Sequence, residues 1–211
     1  MKIKNLLTTL ALTASFLFIG NVGWGQYTGV GSFVKITNLT DLVDGYYVVA
    51  NSGEGFAMNT TNAGTYFQHT AITPASGIIT NPATTIVWKI QKDGSDYTVS
   101  NTVGTDITYV SYTGTSNASY AVVNPASVSD NERWSISYAS NVFTFANKAI
   151  STRILQYNST SPRFACYTSA QQKLVLYKLT IDNTAPSLVP ASLIPADNAT
   201  DININTTLTI P

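Results

Sequence analysis

The chain has 211 residues, only 10% of them charged, with eleven basic and eleven acidic side chains in balance. It carries no basic stripe, and affinity for nucleic acid comes chiefly from neutralising phosphates, so the chain is a poor stand-alone DNA or RNA binder and no nucleic-acid partner is expected. The single cysteine, Cys166, excludes an internal disulfide, so the fold has to rest on a hydrophobic core.

The first element along the chain reads as a targeting segment. Lys2 and Lys4 precede an apolar run from Leu6 to Ile19, and Gly23 and Gly25 place small residues before a cut ahead of Gln26. This is the pattern of a secretory signal peptide over residues 1–25. The run is shorter than the ~20 apolar residues that span a bilayer, and no lipid-bearing cysteine follows the cut. Removing the two lysines leaves nine basic against eleven acidic residues. The remainder is expected to be secreted, extracellular or at the cell surface, without membrane insertion. Its abundant Thr, Ser, Asn, Tyr and Val favour strands, and no stretch shows a sustained helical stripe.

A threefold repeat then organises the chain. Tyr47-Val48-Val49-Ala50-Asn51, Tyr97-Thr98-Val99-Ser100-Asn101 and Phe143-Thr144-Phe145-Ala146-Asn147 share the order aromatic, any residue, apolar, small, Asn. The asparagines are 50 and 46 residues apart. The aromatic and the apolar residue lie two apart and so share one strand face, the expected core face. Asn ends the strand and can cap a turn. Asp44-Gly45, Asp93-Gly94 and Ser140-Asn141 open the three copies with turn signals.

Each copy continues in parallel. Second strands are expected at 56–58, 109–112 and 154–157, third strands at 66–69, 120–123 and 164–167, and fourth strands at Trp88-Lys89-Ile90, Trp134-Ser135-Ile136 and Leu174-Val175-Leu176. Three units of four strands predict an all-β fold, a β-trefoil of twelve strands over residues 30–180. In it two strands of each unit close a barrel and two form a hairpin cap, and closure removes exposed edges.

The stretches 33–36, 45–49 and 57–59, together with 154–158, 162–168 and 176–178, resemble the opening and close of a β-trefoil-like module found in large secreted bacterial proteins. The resemblance spans about residues 33–179. It implies a non-catalytic domain placed beside hydrolases, nucleases or Ig-like repeats. Its broader relatives are ricin-type lectins, but their Gln-x-Trp signature is matched here only at Trp88 and Trp134, with Ile86 and Glu132 two residues earlier. After Leu179 the composition shifts. Asp182-Asn183-Thr184-Ala185-Pro186 and Pro195-Ala196-Asp197-Asn198-Ala199 resemble the start of bacterial Ig-like domains, so residues 181–211 are expected to be a linker and the truncated opening of an incomplete β-sandwich.

Catalytic and metal chemistry is sparse. His69 is the only histidine and reads as a structural residue; no Gly-x-Ser-x-Gly elbow accompanies it. Clusters of His, Cys or carboxylates are lacking, so no metal site and no cofactor is expected. Gly53-Glu54-Gly55 reads as a turn. Asp93 and Asp96 flank a hairpin turn and form a poor glycosidase pair. Cys166 reads as a buried small hydrophobe, and Trp88 and Trp134 read as core rather than sugar platforms. The ligand candidates are Tyr157, Asn158, Arg163 and Tyr167, since Asn and Arg can hold sugar hydroxyls while Tyr stacks on a ring face. The reading is a monomeric module binding glycans or polysaccharide; its alternative is a spacer or accessory domain with no ligand of its own.

Overall fold

Between Gln26 and Thr180, the residues that the computed structural model describes, runs of β-branched and aromatic side chains are cut every few residues by Gly, Asn, Asp or Ser, and the chain forms fourteen strands. The expected signal peptide (1–25) and Ig-like opening (181–211) lie outside the described residues. Twelve strands are the expected ones. Unit one holds β2 (Gly45–Asn51), β3 (Phe56–Asn62), β4 (Phe67–Ala71) and β6 (Val87–Asp93). Unit two holds β7 (Asp96–Val103), β8 (Asp106–Ser111), β9 (Tyr120–Val123) and β10 (Arg133–Ala139). Unit three holds β11 (Val142–Asn147), β12 (Ile154–Asn158), β13 (Arg163–Tyr167) and β14 (Leu174–Thr180).

Antiparallel pairings close a ring of six: β2 to β6, β6 to β7, β7 to β10, β10 to β11, β11 to β14, and β14 back to β2. The hairpins β3–β4, β8–β9 and β12–β13 cap it. They meet one another through Phe67 opposite Phe164, through Cys166 N–H to the Ala118 carbonyl at 3.0 Å, and through Ser119 N–H to the Thr65 carbonyl at 2.9 Å. This is a β-trefoil. Two-residue loops join β6 to β7 and β10 to β11; in the second, Ser140 and Asn141 both take positive φ (53° and 62°), as a type I′ turn requires.

The pseudo-threefold shows in the register. Tyr47 lies opposite Trp88, Tyr97 opposite Trp134, and Phe143 opposite Leu174. Each indole also finds a carbonyl, Trp88 Nε1 donating to Met58 at 2.9 Å and Trp134 Nε1 to Val110 at 3.1 Å. Tyr97 departs from its two equivalents: Tyr47 and Phe143 are buried, whereas Tyr97 is half-buried. Its cross-strand partner is the exposed Lys92, where Phe143 has Tyr138 at 4.7 Å between ring centroids.

The two strands beyond the expected twelve explain why β2 and β14 are buried on both faces. β1 (Ser32–Lys35) pairs with β14 and with β5 (Ile78–Thr80), which lies in the longer connection of unit one. Tyr47 and Val49 point into the main core with Leu174 and Leu176. Val48 and Ala50 point outward into a second, smaller core with Val175, Tyr177, Phe33 and Tyr27. Such doubly covered strands lose the alternation of a half-exposed sheet.

Candidate functional site

The third-unit residues are brought together, but mostly inward. Tyr157 is 1% exposed and Tyr167 2%. The Tyr157 ring stacks on Phe56 at 5.4 Å and packs against Phe164 at 4.9 Å. Tyr157 is turned into the main core with Leu155, Phe164 and Cys166, whereas Tyr167, at the alternate position on β13, is buried on the opposite face together with Arg163. Asn158 accepts from the Thr160 and Ser161 amides at 3.0 and 3.1 Å and so holds the hairpin turn. Half-buried Arg163 donates to Tyr167 Oη at 3.2 Å and lies over the Tyr66 ring at 5.4 Å. Only Asn158 and Arg163 keep appreciable contact with solvent.

The other chemical side chains are absorbed by the fold. Asp93 pairs with Arg133 at 2.8 Å, and buried Asp96 with Lys148 at 2.9 Å. Two carboxylates each matched to a cation are poorly suited to act as an acid–base pair. His69 packs edge-on to Phe56 at 5.1 Å. Trp88 and Trp134 are fully buried. Among the described residues no three His, Cys, Asp or Glu side chains are grouped to hold a metal ion.

Cys166 is fully buried with Ser119 Oγ at 3.4 Å, and burial pushes its thiol up to about 12. A thiol held neutral in a closed site is a poor nucleophile. The native protein should stay unlabelled by an aromatic disulfide reagent at pH 8 while the denatured chain reacts fully. Rapid labelling of the folded protein would overturn the packing described for β13.

An open pocket of about 160 Å³ lies elsewhere, on the outer side of the barrel between units one and two. Tyr46 of β2, Thr60 of β3, Thr84 and Thr85 ahead of β6, and Asn101 and Thr102 of β7 line it. Gln26 completes the wall, its Nε2 donating to the Thr102 carbonyl at 2.6 Å. Neighbouring Tyr27 anchors that segment: its hydroxyl donates to the Pro82 carbonyl at 2.9 Å and its ring meets Phe33 edge-on at 5.2 Å. Burial raises the phenol pKa of both Tyr27 and Tyr46, so both rings stay neutral at physiological pH. Among the described residues no Lys, Arg, Asp, Glu or His lines the pocket.

Sequence reasoning missed this site. Asn101 was legible only as a repeat position with a structural role. The available signal was that Thr102 and Val103 continue its strand, where Asn51 and Asn147 are followed at once by turns.

No protein-family model matches the chain, and no curated protein matches it by sequence. Solved structures do. A GlcNAcα1-4Gal-releasing endo-β-galactosidase from Clostridium perfringens superposes with TM-score 0.51 and 11% identity, over 64% of this chain and 32% of that one. The Polyporus squamosus lectin bound to the epitope Neu5Acα2-6Galβ1-4GlcNAc gives TM-score 0.50 and 17% identity, over 64% and 49%. A mosquitocidal holotoxin gives TM-score 0.50 and 15% identity, over 65% and 17%. The chain thus spans half or less of the length of each. At these identities the likeness is one of fold, and a trefoil hosts unrelated functions.

Proposed function

We propose that residues 26–180 form a non-catalytic glycan-binding module of an extracellular protein, with the pocket beside Tyr46 as its binding site. The observation that carries the reading is the pocket's lining. Threonine hydroxyls and two amide side chains converge beside an aromatic ring, with no Lys, Arg, Asp, Glu, His or Cys side chain among the described lining residues. Hydroxyls and amides match the donors and acceptors of a sugar rim, and a phenol ring matches its apolar face. The likeness in fold to a sialoglycan-binding lectin is consistent with this.

Titration of the purified chain against a panel of glycans, with and without a chelator, tests it. The expected result is weak saturable binding that survives chelation, is lost in Tyr46→Ala and is kept in Arg163→Ala. Loss in Arg163→Ala with retention in Tyr46→Ala would move the site to the third-unit hairpin. No binding to any glycan at millimolar ligand would leave the spacer reading standing.

A further inference from the structure

The three repeat asparagines do the same job on one side of their amides. Each donates Nδ2 to the start of the fourth strand of the preceding unit, taken cyclically, or to the residues just before it. Asn101 reaches the Val87 carbonyl at 2.9 Å, Asn147 the Asn131 carbonyl at 2.8 Å, and Asn51 the Gln172 Oε1 at 2.6 Å. The units are laced together by these amides.

They differ on the other side. Asn51 Oδ1 accepts from the Phe56 amide at 2.9 Å, and Asn147 Oδ1 from the Ile150 amide at 3.1 Å, each capping the loop that follows. In unit two there is no such loop, because β7 runs on to Val103 and turns at Gly104. Among the described residues Asn101 Oδ1 accepts nothing, and Asn101 is half-buried where its two equivalents are buried. Its orientation is settled by chemistry: Val87 offers a carbonyl, which can only accept, so the NH₂ must face it and the oxygen must face away. Asn101 is also a lining residue of the pocket.

Resting on the glycan-binding reading above, we infer that Asn101 is the specificity-determining residue of the pocket, its Oδ1 accepting from a hydroxyl or amide N–H of one neutral sugar ring. The volume of about 160 Å³ suits a single ring; it lies well below the ~300–1,000 Å³ of sites for drug-sized ligands. Charge selection follows from the same lining. A carboxylate brought to Asn101 Oδ1 would meet an acceptor, with no Lys or Arg side chain among the described residues of the wall to compensate its desolvation. A donor-rich neutral ring meets complementary groups throughout. The sequence difference that makes this possible is the extension of one strand beyond the repeat.

The test uses the whole chain with methyl hexopyranosides and methyl N-acetylhexosaminides, each set against its uronate counterpart. Neutral glycosides should bind at least about tenfold more tightly than the uronates, the scale of one unmatched hydrogen bond. Asn101→Ala should weaken neutral binding by a similar ~tenfold factor with the fold intact by circular dichroism. Asn147→Ala should lower the melting temperature and leave affinity unchanged. Uronates binding as tightly as neutral sugars in the unaltered protein would overturn the inference without any variant. Unchanged affinity in Asn101→Ala would overturn it while leaving glycan binding intact. A chain that binds none of these probes, neutral or charged, would take both readings down together.

Discussion

Trp88→Ala is expected to lose about 3–5 kcal/mol of unfolding free energy, the range for emptying a buried aromatic position. Trp88 is fully buried at the barrel wall, opposite Tyr47 and edge-on to Phe67 at 5.3 Å. It therefore touches the barrel and the hairpin cap at once, and few atoms are free to close the space it leaves. The change also strips the Met58 carbonyl of its indole partner. Trp88→Phe separates the two effects: it keeps most of the volume and loses the hydrogen bond, for which about 1–2 kcal/mol is expected. Urea melts measure both. A loss below 1.5 kcal/mol for Trp88→Ala, on the order of a partly exposed side chain, would mean that the barrel wall is not closed at β6.

The second large effect is electrostatic. Glu132 is buried at 5% exposure just before β10, and its carboxylate accepts from Ser111 Oγ at 2.7 Å, Ser129 N–H at 2.9 Å and Ser129 Oγ at 2.6 Å. Burial alone would raise its pKa, but the hydrogen bonds from Ser129 and Ser111 outweigh it and hold the carboxyl below its ordinary value of 4.5. Glu54 is lowered as well, by hydrogen bonds from Lys35 and then from Tyr177. A carboxyl whose folded pKa is depressed contributes stability that is fully present above the unfolded value and is lost as pH falls through the folded one. The domain should therefore hold its stability above about pH 4.5 and lose it progressively below.

Glu132→Ala should cost about 2–4 kcal/mol at neutral pH, since it leaves buried donors unmet, and should flatten part of the acid slope. Glu132→Gln should cost less, about 1–2 kcal/mol, because the Ser111 hydroxyl can rotate to accept from the amide. Melts of the two variants from pH 3 to pH 7 check the sign. An acid slope unchanged in both would remove Glu132 as a source of the acid sensitivity.

The architecture was readable because it is written three times. Tyr47, Tyr97 and Phe143, with Trp88, Trp134 and Leu174, form a pattern that a single chance run could not produce, and each aromatic lies in register with its fourth-strand partner. What escaped the pattern is what breaks the symmetry. β1 and β5 belong to no repeat, so no periodicity announced them, and they create the second core around Phe33 and Tyr177. The third-unit tyrosines looked like a sugar platform because Asn158 and Arg163 adjoin them. Composition cannot tell which face of β12 and β13 a ring takes: the cap's apolar demand turns Tyr157 inward, and Tyr167 is buried on the other face beside Arg163. The pocket was illegible for a different reason. Its wall is drawn from stretches as distant as Gln26 and Gly104, and only barrel closure brings them together.

The pairing of β1 with β14 sets how the domain answers to tension. Ser32 lies opposite Thr180 and Lys35 opposite Tyr177, so the domain's first strand and its last run antiparallel with their outer ends side by side. A load drawn apart along the chain meets the anchors of the preceding segment, Gln26 to Thr102 and Tyr27 to Pro82, and then the Ser32–Thr180 rung and each rung in turn, as in opening a zipper, rather than all rungs at once as in shear. Only after β1 has peeled away does the pull reach the barrel rungs between β14 and β2. A domain pulled in this way opens rung by rung from its β1 edge, the response of a compliant joint rather than of a strut that loads all its rungs together.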